Sequence, residues 1–248
     1  MSEISVADPS PRVALVTGAS RGLGDVIAGL LVSEGYHLLA TARGLAELER
    51  TAASWRPSTA QVETCAGDIA DPAHRARLRD RVAARGRLDL LVNNASELGP
   101  SPLPLLVEAP LEALHRVYDV NVVAPIALVQ LVRPQLAVAQ GRIVNISSDA
   151  AVGGYPGWGV YGASKAALDL VSKTLAGELR ADGISVVSVD PGDMRTTMHQ
   201  AAYPGQDISD RPLPGATLPF WAWFLHQEGA AVSGRRFQAQ AERWEVPA

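Results

Sequence analysis

Short, nearly continuous runs of Val, Ile and Leu alternate along this chain with longer stretches of helical character, and this alternation constrains its fold more than any other feature. Residues 12–17, 37–41, 61–66, 88–92, 142–147 and 184–190 read as buried strands. Between them, residues 23–33, 45–54, 72–84, 110–139 and 160–181 read as helices. Asp71 followed by Pro72 supplies an N-cap and a proline at the first helical position, and Gly183 sits just past a helix end. Strands that are apolar on both faces, separated by helices, imply an α/β fold with a parallel sheet covered on both sides. The alternation stops near Asp190. Beyond it come Pro204, Pro212, Pro214 and Pro219, the aromatic cluster Phe220, Trp221, Trp223 and Phe224, and a last strand-like segment at 235–238. Residues 193–228 are therefore expected to form a lid over a site in one domain spanning 1–248. The aromatic cluster is expected to face either an apolar substrate or a subunit interface.

Composition narrows the function classes. With 248 residues, 47% hydrophobic and 19% charged, the chain is able to build one large core, which excludes disordered and collagen-like proteins. A net charge of −4 argues against nucleic acid or an anionic membrane surface as partner. The single cysteine, Cys65, excludes an internal disulfide and a thiolate metal site, and His37, His74, His115, His199 and His226 show no metal-ligand spacing. The apolar stretches 122–128 and 220–225 fall short of the ~20 residues needed to span a bilayer. The first twelve residues lack the order of a signal peptide, so a cytoplasmic location is expected.

The first strand runs directly into Gly18-Ala19-Ser20-Arg21-Gly22-Leu23-Gly24, and a helix follows. Glycines between a strand and a helix let the backbone approach a pyrophosphate, and the helix N-terminus offers oriented N–H groups to the anion. The bland alternative is a tight turn that needs glycine only for its conformation. Asp25, one residue into the helix, is a poor neighbour for phosphate unless it points away, with Arg21 as a screen. The second strand ends Ala40-Thr41-Ala42-Arg43, with no acid for a ribose diol and an arginine in its place. Together with Arg21, this favours NADP(H) over NAD(H); a solvated helix-start arginine is the alternative for Arg43.

Of 22 basic residues only two, Lys165 and Lys173, are lysine. Tyr161 and Lys165 are spaced i, i+4 at the start of a helix, so phenol and ammonium share one face. A nearby ammonium favours the phenolate and lowers the pKa of a phenol toward the range useful for proton transfer. A surface pair at helical spacing is the ordinary alternative. Ser148 ends the fifth strand, at the carboxyl edge where ligands sit in an open parallel sheet, and can bond a carbonyl oxygen alongside the phenol. Asn121 lies in the helix 110–139 with Pro125 four residues on, so its carbonyl loses the usual helical donor at a kink.

The turn 17–24, the run Asn93-Asn94-Ala95, Asn121, Ser148, Tyr161-x-x-x-Lys165, and Pro191-Gly192 with Thr196 occur in this order. The chain thereby resembles the short-chain dehydrogenase/reductase family over residues 12–197. The resemblance implies a Rossmann-like doubly wound sheet of about seven strands in order 3-2-1-4-5-6-7. It implies Tyr161 as proton donor or acceptor, Ser148 as carbonyl stabiliser, Lys165 as the group that holds the nicotinamide ribose, and Asn121 as anchor of a water-linked proton path. It also implies cofactor contacts from Gly18, Ser20, Arg21, Gly22, Leu23, Gly24, Arg43, Asp68, Ile69, Asn94, Ala95, Pro191, Gly192 and Thr196, and a homodimer or homotetramer. Ser96 departs from the pattern, which has glycine there. Tyr155 and Trp158 are expected to wall the substrate, with a plain packing role as the alternative. Two functions follow: an oxidoreductase moving a hydride between NADP(H), or NAD(H), and a small carbonyl or secondary alcohol, or a silent nucleotide-binding sensor or scaffold of the same fold.

Overall fold

The structure, a computed structural model, describes residues 11–55 and 60–246; residues 1–10, on which the signal-peptide reading largely rests, lie outside that set. Seven strands form one sheet: β1 (Val13–Thr17), β2 (His37–Ala42), β3 (Val62–Ala66), β4 (Leu90–Asn93), β5 (Arg142–Ile146), β6 (Ser185–Asp190) and β7 (Arg236–Gln238). Their order is β3-β2-β1-β4-β5-β6-β7 and every neighbouring pair is parallel. The alternation of side chains along each strand feeds two separate cores. Ala14, Val16, Leu90, Val92, Val144, Val187 and Val189 face one, with Ile27 and Leu31 of helix α1 (Gly22–Ser33). Val13, Leu15, Leu91, Ile143 and Val186 face the other, with Leu78 and Val82 of α3 (Pro72–Arg85) and Leu128, Val132 and Leu136 of α5 (Ala124–Ala139). Helix α2 (Leu45–Ala52) joins the first core through Leu48.

Local signals act as the sequence suggests. The Asp71 carboxylate accepts from the Ala73 N–H at 2.9 Å, and Gly86 ends α3 in the left-handed region at φ 75°. Helix α6 (Gly159–Glu178) is followed by one 3-10 turn and then Gly183 at φ 73°.

The helix expected over 110–139 is not a single kinked rod. It consists of α4 (Leu111–Tyr118), a π turn at Asp119–Val123 and then α5. Pro125 has no N–H to give the Asn121 carbonyl, and the ladder slips so that the Ala124 N–H reaches the Asp119 carbonyl. Residues Leu111–Ala139 together are long and apolar enough to cross a membrane, which the count of consecutive apolar residues had missed. In the fold one side of this helix packs on the sheet, and its π turn carries the buried Asn121.

A second correction concerns the aromatic cluster. Phe220, Trp221 and Phe224 lie on α8 (Leu218–Leu225), against α1, and Phe220 is 0% exposed. Phe220 meets Phe237 of β7 at 5.8 Å between ring centroids and Trp244 at 5.5 Å. The cluster closes the core beside the outer strands and does not line the cleft, Trp223 staying half-buried; α9 (Gly229–Val232) follows it into β7.

Candidate active site

The carboxyl ends of β1 and β4 diverge where the strand order reverses, and a cleft of about 1730 Å³ opens there. One end holds the glycine turn. Gly18 has φ +67°, and a Cβ on it would stand 2.8 Å from Asn94 Nδ2; a Cβ on Gly24 would stand 2.2 Å from the Gly18 carbonyl oxygen. Helix α1 therefore starts hard against the turn, and Arg21 at its N-cap makes no side-chain capping bond. This bare helix end and the space that side chains would fill suit a pyrophosphate. Leu23 is buried beneath it in the core. Asp25 does point away: its carboxylate accepts from Trp55 Nε1 at 2.8 Å, so the screen is Trp55 and not Arg21.

Asn94 lines the cleft and also ties the fold together there. Its Nδ2 donates to the Thr17 carbonyl at 2.9 Å and the Gly18 carbonyl at 3.1 Å, while Thr17 Oγ1 accepts from the N–H groups of Asn94 and Ala95. Its Nδ2 thus staples the glycine turn to β4, and Thr17, which opens that turn, is the other half of the staple.

Three arginines border the same end of the cleft, each against a carboxylate. Arg43 lies 3.4 Å from Glu97, Arg21 3.8 Å from Glu47, and Arg116 2.6 Å from Asp68. Ser20 Oγ donates to Glu47 at 3.0 Å. Burial works to raise the Asp68 carboxyl, but the Ala70 N–H and the Arg116 and Arg43 charges hold it below the ordinary range. Ile69 is buried beside it, its carbonyl accepting from Arg75 at 2.7 Å. Glu47, Glu97 and Arg116 carried no sequence signal, because the contacts join residues far apart in the chain.

Residues after β6 fold back over the cleft. Gly192 has φ +73°, the Pro191 carbonyl accepts from Gln240 at 2.9 Å, and Thr196 caps α7 (Thr197–Ala202) by accepting from the His199 N–H. The Thr196 methyl lies 3.6 Å from where a Cβ on Gly22 would stand, so this segment approaches the glycine turn. Most of residues 193–204, with Ile208 and residues 213–215, line the cleft, whereas α8 does not, so the segment 193–228 covers it as far as Gly215.

At the deep end Tyr161 and Lys165 are both buried. Lys165 Nζ donates to the Ile146 carbonyl at 2.8 Å and lies 5.5 Å from the centroid of the Tyr161 ring. Tyr161, Ser96 and Ser148 line the cleft together. Burial pushes the Tyr161 phenol up to about 12; the two serine hydroxyls oppose the shift, and Asp190 and Asp149 add to it. The expected lowering by Lys165 is not realised here, because the ammonium is turned onto a backbone carbonyl and burial outweighs what remains. Burial also brings Lys165 down to about 8, against the pull of Asp169. Ser148 Oγ donates to Asp149 at 3.0 Å and accepts from the Ala150 N–H at 3.2 Å.

Asn121 is buried and braces this end. Its Oδ1 accepts from Ser96 Oγ and the Glu97 N–H, and its Nδ2 donates to the Glu97 carbonyl and to Ser164 Oγ. Trp158 stands edge-on to Tyr161 at 5.8 Å, with Tyr203 6.1 Å beyond it and His199 5.1 Å from Tyr203. Trp158 and Tyr155 line the cleft, Tyr155 from an exposed position beside Asp149, whose charge raises its phenol. Tyr203 and His199 complete the wall. Among the described residues, the buried Ser147 Oγ and His199 Nε2 have no partner, and both residues line the cleft.

The sequence over residues 12–207 matches the family model for short chain dehydrogenase. The chain belongs to the short-chain dehydrogenase/reductase family. It is 35% identical over 216 residues to L-xylo-3-hexulose reductase from Hypocrea jecorina, covering 78% of this chain and 70% of that protein. The fold matches the oxidoreductase yciK from E. coli with TM-score 0.85 and 29% identity, covering 93% of this chain and 95% of the other. A short chain dehydrogenase from Shigella flexneri complexed with NADP matches with TM-score 0.85 and 28% identity, covering 93% and 97%. As a short-chain dehydrogenase/reductase, the protein is an oxidoreductase of a family that binds nicotinamide cofactors.

Proposed function

We propose that this short-chain dehydrogenase is an NADP(H)-dependent enzyme that interconverts a small carbonyl compound and its secondary alcohol, with Tyr161 transferring the proton. The observation that carries the reading is the buried Tyr161 phenol, which with Ser148 and Lys165 lines the cleft that runs on to the glycine turn. When bound, the nicotinamide cofactor supplies or takes up the hydride at the carbonyl carbon. Gly18, Gly22, Gly24 and the start of α1 would hold the pyrophosphate, Asp68, Ile69 and Ala95 would border the adenine side, and Pro191, Gly192 and Thr196 would hold the carboxamide. Arg43 and Arg21, now against Glu97 and Glu47, would hold a 2′-phosphate; the NADP in the Shigella flexneri relative supports this choice.

Ser148 turns its hydroxyl from Asp149 to the substrate oxygen, and Tyr161 O–H breaks as the new alcohol O–H forms. Hydrogen bonds aimed at a developing oxyanion commonly contribute a large share of rate enhancement. The buried Lys165 ammonium stabilises the phenolate that results. Trp158, Tyr203 and His199 exclude water from the reacting atoms and select an apolar or aromatic substituent. A cytoplasmic homodimer or homotetramer completes the proposal, checked by sedimentation and by localisation of the tagged chain.

The test is Tyr161→Phe in a panel of ketones, aldehydes and alcohols. Turnover falls by about three orders of magnitude or more, while NADPH binding survives. Full turnover by the variant overturns the role of Tyr161. Tight NADPH binding by a wild-type protein inert on the whole panel favours the sensor or scaffold instead.

A further inference from the structure

The loop after β4 reaches back across the cleft to the arginine that ends β2. In the strand order β2 and β4 lie on either side of β1, roughly 10 Å apart, and the glycine turn starts between them. Glu97 closes that span: its Oε2 accepts from Arg43 Nη1 at 3.4 Å, and both residues line the cleft. The root of Glu97 is fixed. Its N–H donates to Asn121 Oδ1 at 2.7 Å and its carbonyl accepts from Asn121 Nδ2 at 2.9 Å, so the loop has to break both bonds to carry the carboxylate away. The ion pair itself is held more loosely, with the Arg43 side chain 62% exposed and that of Glu97 26%. A pair this open to water is weak enough for a better anion to take the guanidinium.

We propose that Glu97 is a specificity-determining residue, an internal competitor for Arg43 that sets how tightly this chain holds the 2′-phosphate of NADP(H). The inference rests on the reading of Arg43 as the cation for that phosphate. The phosphate takes the guanidinium only from molecules in which the carboxylate has released it, so the observed affinity is the intrinsic one multiplied by the fraction with Arg43 free. Once released, the carboxylate stays at the cleft on its pinned loop and repels the phosphate, which adds to the same penalty. NADH brings no phosphate to that position and makes no claim on Arg43. Glu97 therefore narrows the margin between the two cofactors.

The other carboxylates at this end of the cleft are placed differently. Glu47 stands 3.8 Å from Arg21 and is partly committed to Ser20, whose Oγ donates to it at 3.0 Å. Asp68 is held by the Ala70 N–H at 2.9 Å and by Arg116 at 2.6 Å. The bonds that fix Glu97 are made by its backbone and leave its carboxylate to Arg43.

The experiment titrates NADPH and NADH, by fluorescence, into wild type, Glu97→Gln, Arg43→Ala and the double variant. Glutamine keeps the side-chain length and the backbone bonds to Asn121, and urea unfolding checks that each variant is folded. Glu97→Gln binds NADPH about three- to tenfold more tightly than wild type, because the pair and the repulsion are both removed, while NADH stays within about twofold. In the Arg43→Ala background the same substitution gains at most about twofold, since the competitor has lost what it competes for. Unchanged or weaker NADPH binding by Glu97→Gln overturns the proposal and leaves an ordinary surface ion pair. An equal gain for both cofactors also overturns it, because the pair then gates the cleft as a whole, and so does a full gain that persists without Arg43. Failure of the underlying reading looks different: Arg43→Ala alone then weakens NADPH and NADH equally.

Discussion

At Lys165 two forces oppose each other. Burial favours the neutral amine and brings the group down to about 8, while the Asp169 carboxylate one turn along α6 favours the charge. The ammonium is therefore present at pH 7 and is lost as pH rises through about 8, so phenolate stabilisation that depends on it declines over the same interval. Carbonyl reduction in wild type is expected to show this alkaline limb in kcat; in Lys165→Met, kcat falls by about two orders of magnitude and the limb disappears. Lys165→Arg does not rescue it, since a planar guanidinium does not fit where a compact ammonium bonds the Ile146 carbonyl. Lys173, by contrast, is exposed. Arg43 invites a separate measurement. Arg43→Ala weakens NADPH binding about ten- to hundredfold and leaves NADH nearly unchanged, because charge-assisted bonds to a phosphate are the ones removed. Equal losses for both cofactors, read by fluorescence titration, refute the 2′-phosphate assignment.

Among the elements, the β1–turn–α1 unit is stapled with little tolerance. The Gly24 Cα faces the Gly18 carbonyl so closely that an added methyl has to displace backbone. Gly24→Ala is expected to lower stability by about 1–3 kcal/mol and to cost more than tenfold in NADPH affinity, measured by urea unfolding and ligand titration. The glycine pattern was visible in the chain, but the need for Thr17 and Asn94 to tie the turn to β4 was not, since the contacts span about 77 residues. The α4–α5 junction teaches a similar lesson. Pro125 announces a break in the ladder, yet a kink and a π turn satisfy the same missing N–H, and packing of Asn121 against Ser164 and the 96–97 loop selects the latter.

For the whole molecule, β7 is more than a last strand. Arg236 donates to Asp169 at 3.0 Å, to Asp190 at 3.1 Å and to the Ser148 carbonyl at 2.8 Å, joining α6, β6 and the site from the sheet edge. All three side chains are largely buried, so removing the arginine leaves two carboxylates without their counter-charge. Arg236→Met should destabilise the fold by about 3–5 kcal/mol and lower kcat through a displaced Ser148, with NADPH affinity affected less. Unfolding curves together with kcat and KM decide this; wild-type stability in the variant would show the network to be incidental. The aromatic cluster belongs at the same scale: Phe220→Ala costs about 3–5 kcal/mol in unfolding and leaves KM for substrate unchanged, because the ring fills the core behind α1.

The sequence by itself determined the parallel α/β sheet, the glycine turn and the Tyr161, Lys165 and Ser148 set. Each of these is written in local pattern: apolar runs bounded by turns, glycine between strand and helix, one helical turn between phenol and ammonium. Only the tertiary structure decided what surrounds them. Whether Tyr161 is pushed up or down depends on burial, on Ser96 arriving from β4, and on Asp149 and Asp190 arriving from two other strands. Whether Asn94 ties the glycine turn to its neighbour strand depends on where β1 ends beside β4. Local spacing sets which groups share an element, whereas desolvation and charge sum over everything that packs against them, and that sum exists only once the chain has folded.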